Sequence, residues 1–193
     1  MTHQNKIFES VEVQGQEFEG DVFVRCKFPS VEFRFSNFLK CTFQSCDFTG
    51  SYFDIVGFSH CSFPDSKLSY LDFSGAHLEK CDFSEAVLSQ CVFQKLKDGS
   101  KSERKKCNLT SCIFEKAQLN GAVFSFCDLE KVSFRDAKLE GAMFDMCALK
   151  ETVFVGADLS GTTFPNSKID KTELDLNGFL SYGMSQGFTL FSD

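Results

Sequence analysis

The stretch CTFQSCDFTGSYFDIVGFSHCSF, residues 41–63, sets phenylalanine at 43, 48, 53, 58 and 63, one every five residues. Followed outward, the spacing holds from Phe8 to Phe93, eighteen apolar positions in a row, with only Val13, Leu68, Leu78 and Leu88 replacing Phe. It resumes at Leu109 and runs without a miss to Leu174, fourteen more. Twenty of the 25 phenylalanines lie on these positions. Neither the 3.6-residue period of a helix nor the two-residue period of a strand gives this spacing.

We call the repeated apolar position i. Position i−2 is small or compact along most of the chain, as at Cys26, Ser36, Cys46, Ala86, Ala122 and Ala142; Lys6, Gln16, Asp21 and Leu71 depart from this. The other three positions are mostly polar. All three prolines occupy i+1, and eight of the 13 glycines occupy i+2. Proline second and glycine third is the preference of a type II turn. Each unit therefore reads as a short extended piece and a corner, with i and i−2 facing inward.

This repeat resembles the pentapeptide-repeat family, whose consensus A(D/N)LXX is approached by CDFTG (46–50), CDFSE (81–85), ADLSG (157–161) and AQLNG (117–121). The resemblance implies an all-β fold, a right-handed quadrilateral β-helix with four units per coil. Thirty-two units make eight coils, a rod roughly 38 Å long at about 4.8 Å per hydrogen-bonded layer. The core ladder is expected to include Phe114, Phe124, Phe134 and Phe144, with Cys107, Cys127 and Cys147 stacked on one face.

Phe93 to Leu109 is one residue more than a multiple of five. Removing LKDGSKSERKK, residues 96–106, rejoins the repeat in register and also preserves the Phe–Leu alternation that begins at Phe63. The expected organisation is a single domain: N-terminal coils over 1–95, a projecting loop over 96–106, C-terminal coils over 107–174 and a tail over 175–193. The loop carries Lys97, Lys101, Arg104, Lys105 and Lys106 against Asp98 and Glu103, beginning at Leu96, so it is basic on an otherwise acidic rod. It reads either as a tolerated surface insertion or as a partner-contacting loop. The tail, with Leu176, Phe179, Leu180, Met184, Phe188, Leu190 and Phe191, is too apolar to remain uncovered. Gly178, Gly183 and Gly187 disfavour a long helix there. A short helix and an extended end would either cap the last coil or pair across a two-fold axis with a second copy.

All ten cysteines fall at i−2, which favours buried small hydrophobes over metal ligands or disulfides. His3, His60 and His77 fall at the terminus or at outward positions. No nucleophilic triad, phosphate loop or dinucleotide fingerprint appears, so neither an active site, a metal nor a cofactor is expected. The net charge of −7 argues against direct nucleic-acid binding, and neither a long apolar run nor a signal-like start appears, pointing to a cytoplasmic protein.

The interrupted rod with an apolar tail is similar to the Qnr and MfpA branch of the family. That resemblance implies a homodimer that imitates duplex DNA and binds DNA gyrase or topoisomerase IV, protecting it from quinolones or gyrase-poisoning toxins. In this reading residues 96–106 supply the partner contact. The alternative is a non-catalytic interaction scaffold with a non-topoisomerase partner. Acids in one continuous stripe would favour mimicry, and acids on all four faces would count against it.

Overall fold

The structure, a computed structural model, describes residues 1–95 and 106–191. The chain winds into a right-handed quadrilateral β-helix of about eight turns. Every strand pair is parallel, and residues one coil apart lie twenty positions apart in sequence: Phe23 on Phe43, Phe38 on Phe58, Phe124 on Phe144. Where Phe93 pairs with Phe124 and Asp82 with Ile113, the step is 31, twenty plus eleven. We number the four faces by their first-coil residues: face 1 from Phe8, face 2 from Val13, face 3 from Phe18 and face 4 from Phe23.

The core is a stack of rings. On face 4, successive phenyls from Phe23 through Phe43, Phe63, Phe83, Phe114 and Phe134 to Phe154 lie near-parallel with centroids 4.7–5.1 Å apart. Phe93, Phe124 and Phe144 do the same on face 2. Stacking at the layer spacing follows from the fold, because identical side chains held in register one layer apart are brought to ring-stacking distance. Phe114, Phe124, Phe134 and Phe144, with Cys127 and Cys147, are all but inaccessible to solvent, and Cys107 is buried at 7% exposure.

The corners bear out the turn expectation at many positions and refine it at others. Position i+2 does take a positive φ, but at 22 places the residue there is not glycine. Many corners close with an N–H from i+3 to the carbonyl of i, as at Phe114, Leu119 and Leu139 (2.8–3.2 Å). Among the described residues no such bond closes at Phe23, Phe38, Phe58 or Leu68. There the i carbonyl, buried above the core, accepts from the residue 23 positions on. Cys46 Sγ donates to Phe23 O (3.3 Å), Cys61 to Phe38 O (3.3 Å), Cys81 to Phe58 O (3.2 Å) and Cys91 to Leu68 O (2.9 Å). Buried carbonyls need a partner, so these cysteines are donors as well as small hydrophobes. Burial pushes the Cys46 and Cys91 thiols up to about 12, which keeps the donating proton in place. Alanine at the same position, as at Ala137 and Ala142, stands over corners already closed by backbone.

The ends depart most from the simple repeat. His3, read only as terminal, is part of the stack. It occupies an i position on face 4, its ring stacked on Phe23 at 4.8 Å, with Nε2 3.3 Å from Asp21 Oδ2. The amino terminus also contacts Asp21, which explains an acid at an otherwise inward position. Burial raises the Asp21 carboxyl, but bonds from the α-ammonium and His3 outweigh it and hold the group below the usual range. A four-residue helix, α1 (Ser10–Val13), replaces the first corner. At the far end Ile169 is 47% exposed although it holds an i position, because no further coil covers face 3.

Candidate partner-binding surface

Of the predicted basic loop, only Lys106 falls among the described residues, and it is exposed. Leu96, Lys97, Asp98, Lys101, Glu103, Arg104 and Lys105 lie outside them. The described chain on either side, Lys95 on face 2 and Cys107 on face 3, belongs to neighbouring faces of one coil.

The carboxylates do not form one stripe. Asp47 and Asp158 stand on face 1, Glu32, Asp54 and Asp72 on face 2, Asp128, Glu130 and Asp170 on face 3, and Asp82, Glu115 and Glu173 on face 4. Face 3 is neutralised by its own lysines: Lys150 Nζ lies 3.0 Å from Glu130, and Lys131 bridges Glu130 and Glu151 at 3.7 and 4.0 Å. The bond from Lys150 holds the Glu130 carboxyl below its ordinary value. Face 4 has the largest acidic excess, with Asp21, Asp65, Asp82, Glu85, Glu115, Asp136, Glu173 and Asp175 against Arg25, Lys116 and Arg135. Among the described residues no group of three or more His, Cys, Asp or Glu could hold a metal ion. Among the described residues no helix is long and apolar enough to cross a membrane.

The tail forms the second candidate surface. Helix α2 (Leu176–Ser185) begins at Asp175, whose carboxylate accepts from the backbone N–H of Gly178 (2.7 Å) and of Gly156 in the coil below (2.8 Å). Those N–H groups hold the Asp175 carboxyl low. The helix rests on the last coil through Gly178, which has Leu159 and Leu174 as neighbours, and through Tyr182, 5.6 Å from the Phe164 ring. Yet Leu176, Phe179, Met184, Phe188, Leu190 and Phe191 remain 64–87% exposed, and Leu180 is half-buried. Helix and tail together wall an apolar hollow of about 390 Å³.

Eight stacked coils of five-residue units, with i and i−2 inward, define a pentapeptide-repeat protein. The family model described as "Pentapeptide repeat region" matches residues 36–97 and 100–174, and the chain belongs to that family. Among solved structures it is similar to QnrB1, described as a plasmid-mediated fluoroquinolone resistance protein. A trypsin-treated variant of QnrB1 superposes with TM-score 0.73 at 16% identity, covering 100% of this chain and 99% of that one. Full-length QnrB1 gives TM-score 0.72 at 17% identity, with 97% of each chain covered. No curated protein matches the sequence.

Proposed function

We propose that this chain binds DNA gyrase or topoisomerase IV as a rod-shaped homodimer and protects the enzyme from quinolones or gyrase-poisoning toxins. The observation that carries this reading is the end-to-end likeness in fold to a fluoroquinolone resistance protein, repeats and C-terminal segment included. The exposed apolar tail supports self-association, since a monomer rarely leaves so large a contiguous patch uncovered. An isologous pairing there would double the rod to roughly 75 Å at the layer spacing. Face 4, the most acidic, is the surface assigned to imitate duplex DNA, and residues 96–106 are assigned to specific contact with the enzyme.

The scattering of carboxylates over four faces counts against imitation of DNA along the whole rod, and favours the second reading, a scaffold for a non-topoisomerase partner. A gyrase supercoiling assay with a fluoroquinolone over a protein concentration series separates the two. Rescue of supercoiling at low protein is the expected result, and no effect on either topoisomerase returns the chain to the scaffold class. Deleting residues 96–106 should leave a folded rod that no longer protects; retained protection would make the loop a tolerated insertion.

A further inference from the structure

The corner joining face 2 to face 3 is built unlike the others. Its column runs Gly15, Phe35, Ile55, Gly75, Lys95, Phe126, Met146 and Asn166 in successive coils. Phe35, Ile55, Phe126 and Met146 all adopt φ between +52° and +55°. This left-handed region is disfavoured for bulky and especially β-branched side chains. At the other three corners the same position takes glycine or a polar residue, with Tyr70 the exception. Burial does not account for the first pair: Phe35 is 55% and Ile55 61% exposed.

The four side chains form two knobs. Phe35 and Ile55 sit on consecutive coils, joined where Phe35 N–H donates to Asp54 O (3.3 Å); Phe126 and Met146 are joined in the same way through Asp145 O (2.8 Å). Between the knobs the column is notched at Gly75, where an added Cβ would strike the Phe53 carbonyl and the strand Tyr52–Ser59 shifts register. Glu32, Asp54, Asp72 and Asp145 border the ridge; the nearby cations include Lys95, in the column itself, and Arg34, 3.0 Å from Asp54 and 5.0 Å from the centre of the Phe35 ring.

We propose that this corner is the docking ridge for the topoisomerase, the two apolar knobs entering hollows in a surface whose rim is basic. The inference rests on the proposed function and adds to face 4 and residues 96–106 a further contact surface, on the edge between faces 2 and 3. Charge chooses the occupant: an enzyme whose ligand is duplex DNA presents lysines and arginines, which suit an acidic border. At Phe35 and Ile55, unfavourable backbone at an exposed apolar residue is the kind of local cost that marks a working surface; Phe126 and Met146 are half-buried.

The test compares the wild-type chain with one carrying Phe35→Asn, Ile55→Asn, Phe126→Asn and Met146→Asn, since asparagine tolerates this φ. Thermal unfolding by circular dichroism and affinity for purified DNA gyrase are both measured. The ridge predicts a melting temperature unchanged or raised by a few degrees, with affinity at least tenfold weaker. A control with Ser30→Asn and Gln90→Asn, at the corner joining face 1 to face 2, should bind as wild type. A folded quadruple variant that binds gyrase undiminished overturns the ridge and leaves the function standing. A lowered melting temperature assigns the four side chains to stability and also overturns it. Wild-type protein that binds neither gyrase nor topoisomerase IV overturns the proposed function and the ridge with it.

Discussion

Coils two and three carry phenylalanine on all four faces, whereas coils six and seven alternate leucine with phenylalanine. The difference shows in how rings meet. In the later coils Phe93, Phe124 and Phe144 stack at 4.7–4.8 Å and within 5° of parallel. In the earlier coils Phe33 and Phe53, on the same face, meet edge to face at 5.3 Å and 77°, and Phe53 meets Phe73 at 53°. Four phenyls in one layer compete for the same central space, and the face-2 ring gives way. The strand Tyr52–Ser59 runs on through its corner there, with the register shift between Asp54 and Val56. Two leucines per layer remove the crowding, and the later ladder is regular. Corners follow the same division: backbone closes more of them in the later coils, while side-chain donors at i−2 serve the open ones in the earlier coils. A repeat protein thus tolerates a locally imperfect layer because each coil touches only its neighbours.

The largest expected effect follows from that contrast. Phe124→Ala, in a regular stack, should lower stability by about 3–5 kcal/mol, measured by chemical denaturation. Phe53→Ala should cost less, because its crowded neighbours can move into the space; equal losses would break the comparison. Next comes the corner chemistry. Ser66 Oγ donates to Phe43 O (2.6 Å) and accepts from Cys46 N (2.8 Å), both buried, so Ser66→Ala should cost about 1–3 kcal/mol. Thr162 Oγ1 donates to Leu139 O (2.7 Å), which also accepts from Ala142 N–H. Thr162→Ala should therefore cost less than about 1 kcal/mol, and a reversal of that order would refute the division of corners. The smallest effect concerns ends against middle. Asp21 and Asp175 both have carboxyls held low in the folded chain. Their contribution is present above the ordinary carboxylate pKa of about 4 and is lost as pH falls through the lower folded value. Acid should loosen the first coil and α2 before the central coils, seen as early hydrogen exchange at both ends, and Asp175→Asn should flatten that response at the helix.

The ladder was legible because one position in five carries nearly all the phenylalanine, and burial of i and i−2 then fixes the fold. His3 was not, since a histidine at the first i position reads as polar until the ring is seen covering Phe23. Corner closure escaped reading because the relevant signal is displaced: the residue type at i−2 reports on a corner 23 positions earlier, a relation that exists only once the coils are stacked. Phe35, Ile55, Phe126 and Met146 fall at a repeat position that is mostly polar along the chain, and only alignment by coil brings them onto one edge. Of the candidate site, the charged loop was legible as composition, while the spread of carboxylates over four faces needed the register.

The thiols have one further consequence. The described cysteines occur on coils two through seven, and all ten are free and buried. Each is therefore a timer for its own layer: a thiol reagent in solvent can reach a given sulfur only when that coil comes undone. Cys26 and Cys147 stand nearest the two ends, Cys81 and Cys91 in the middle. The order in which they are labelled would trace, without introducing a single probe, whether the rod unwinds from its tips or opens at the junction beside Cys107.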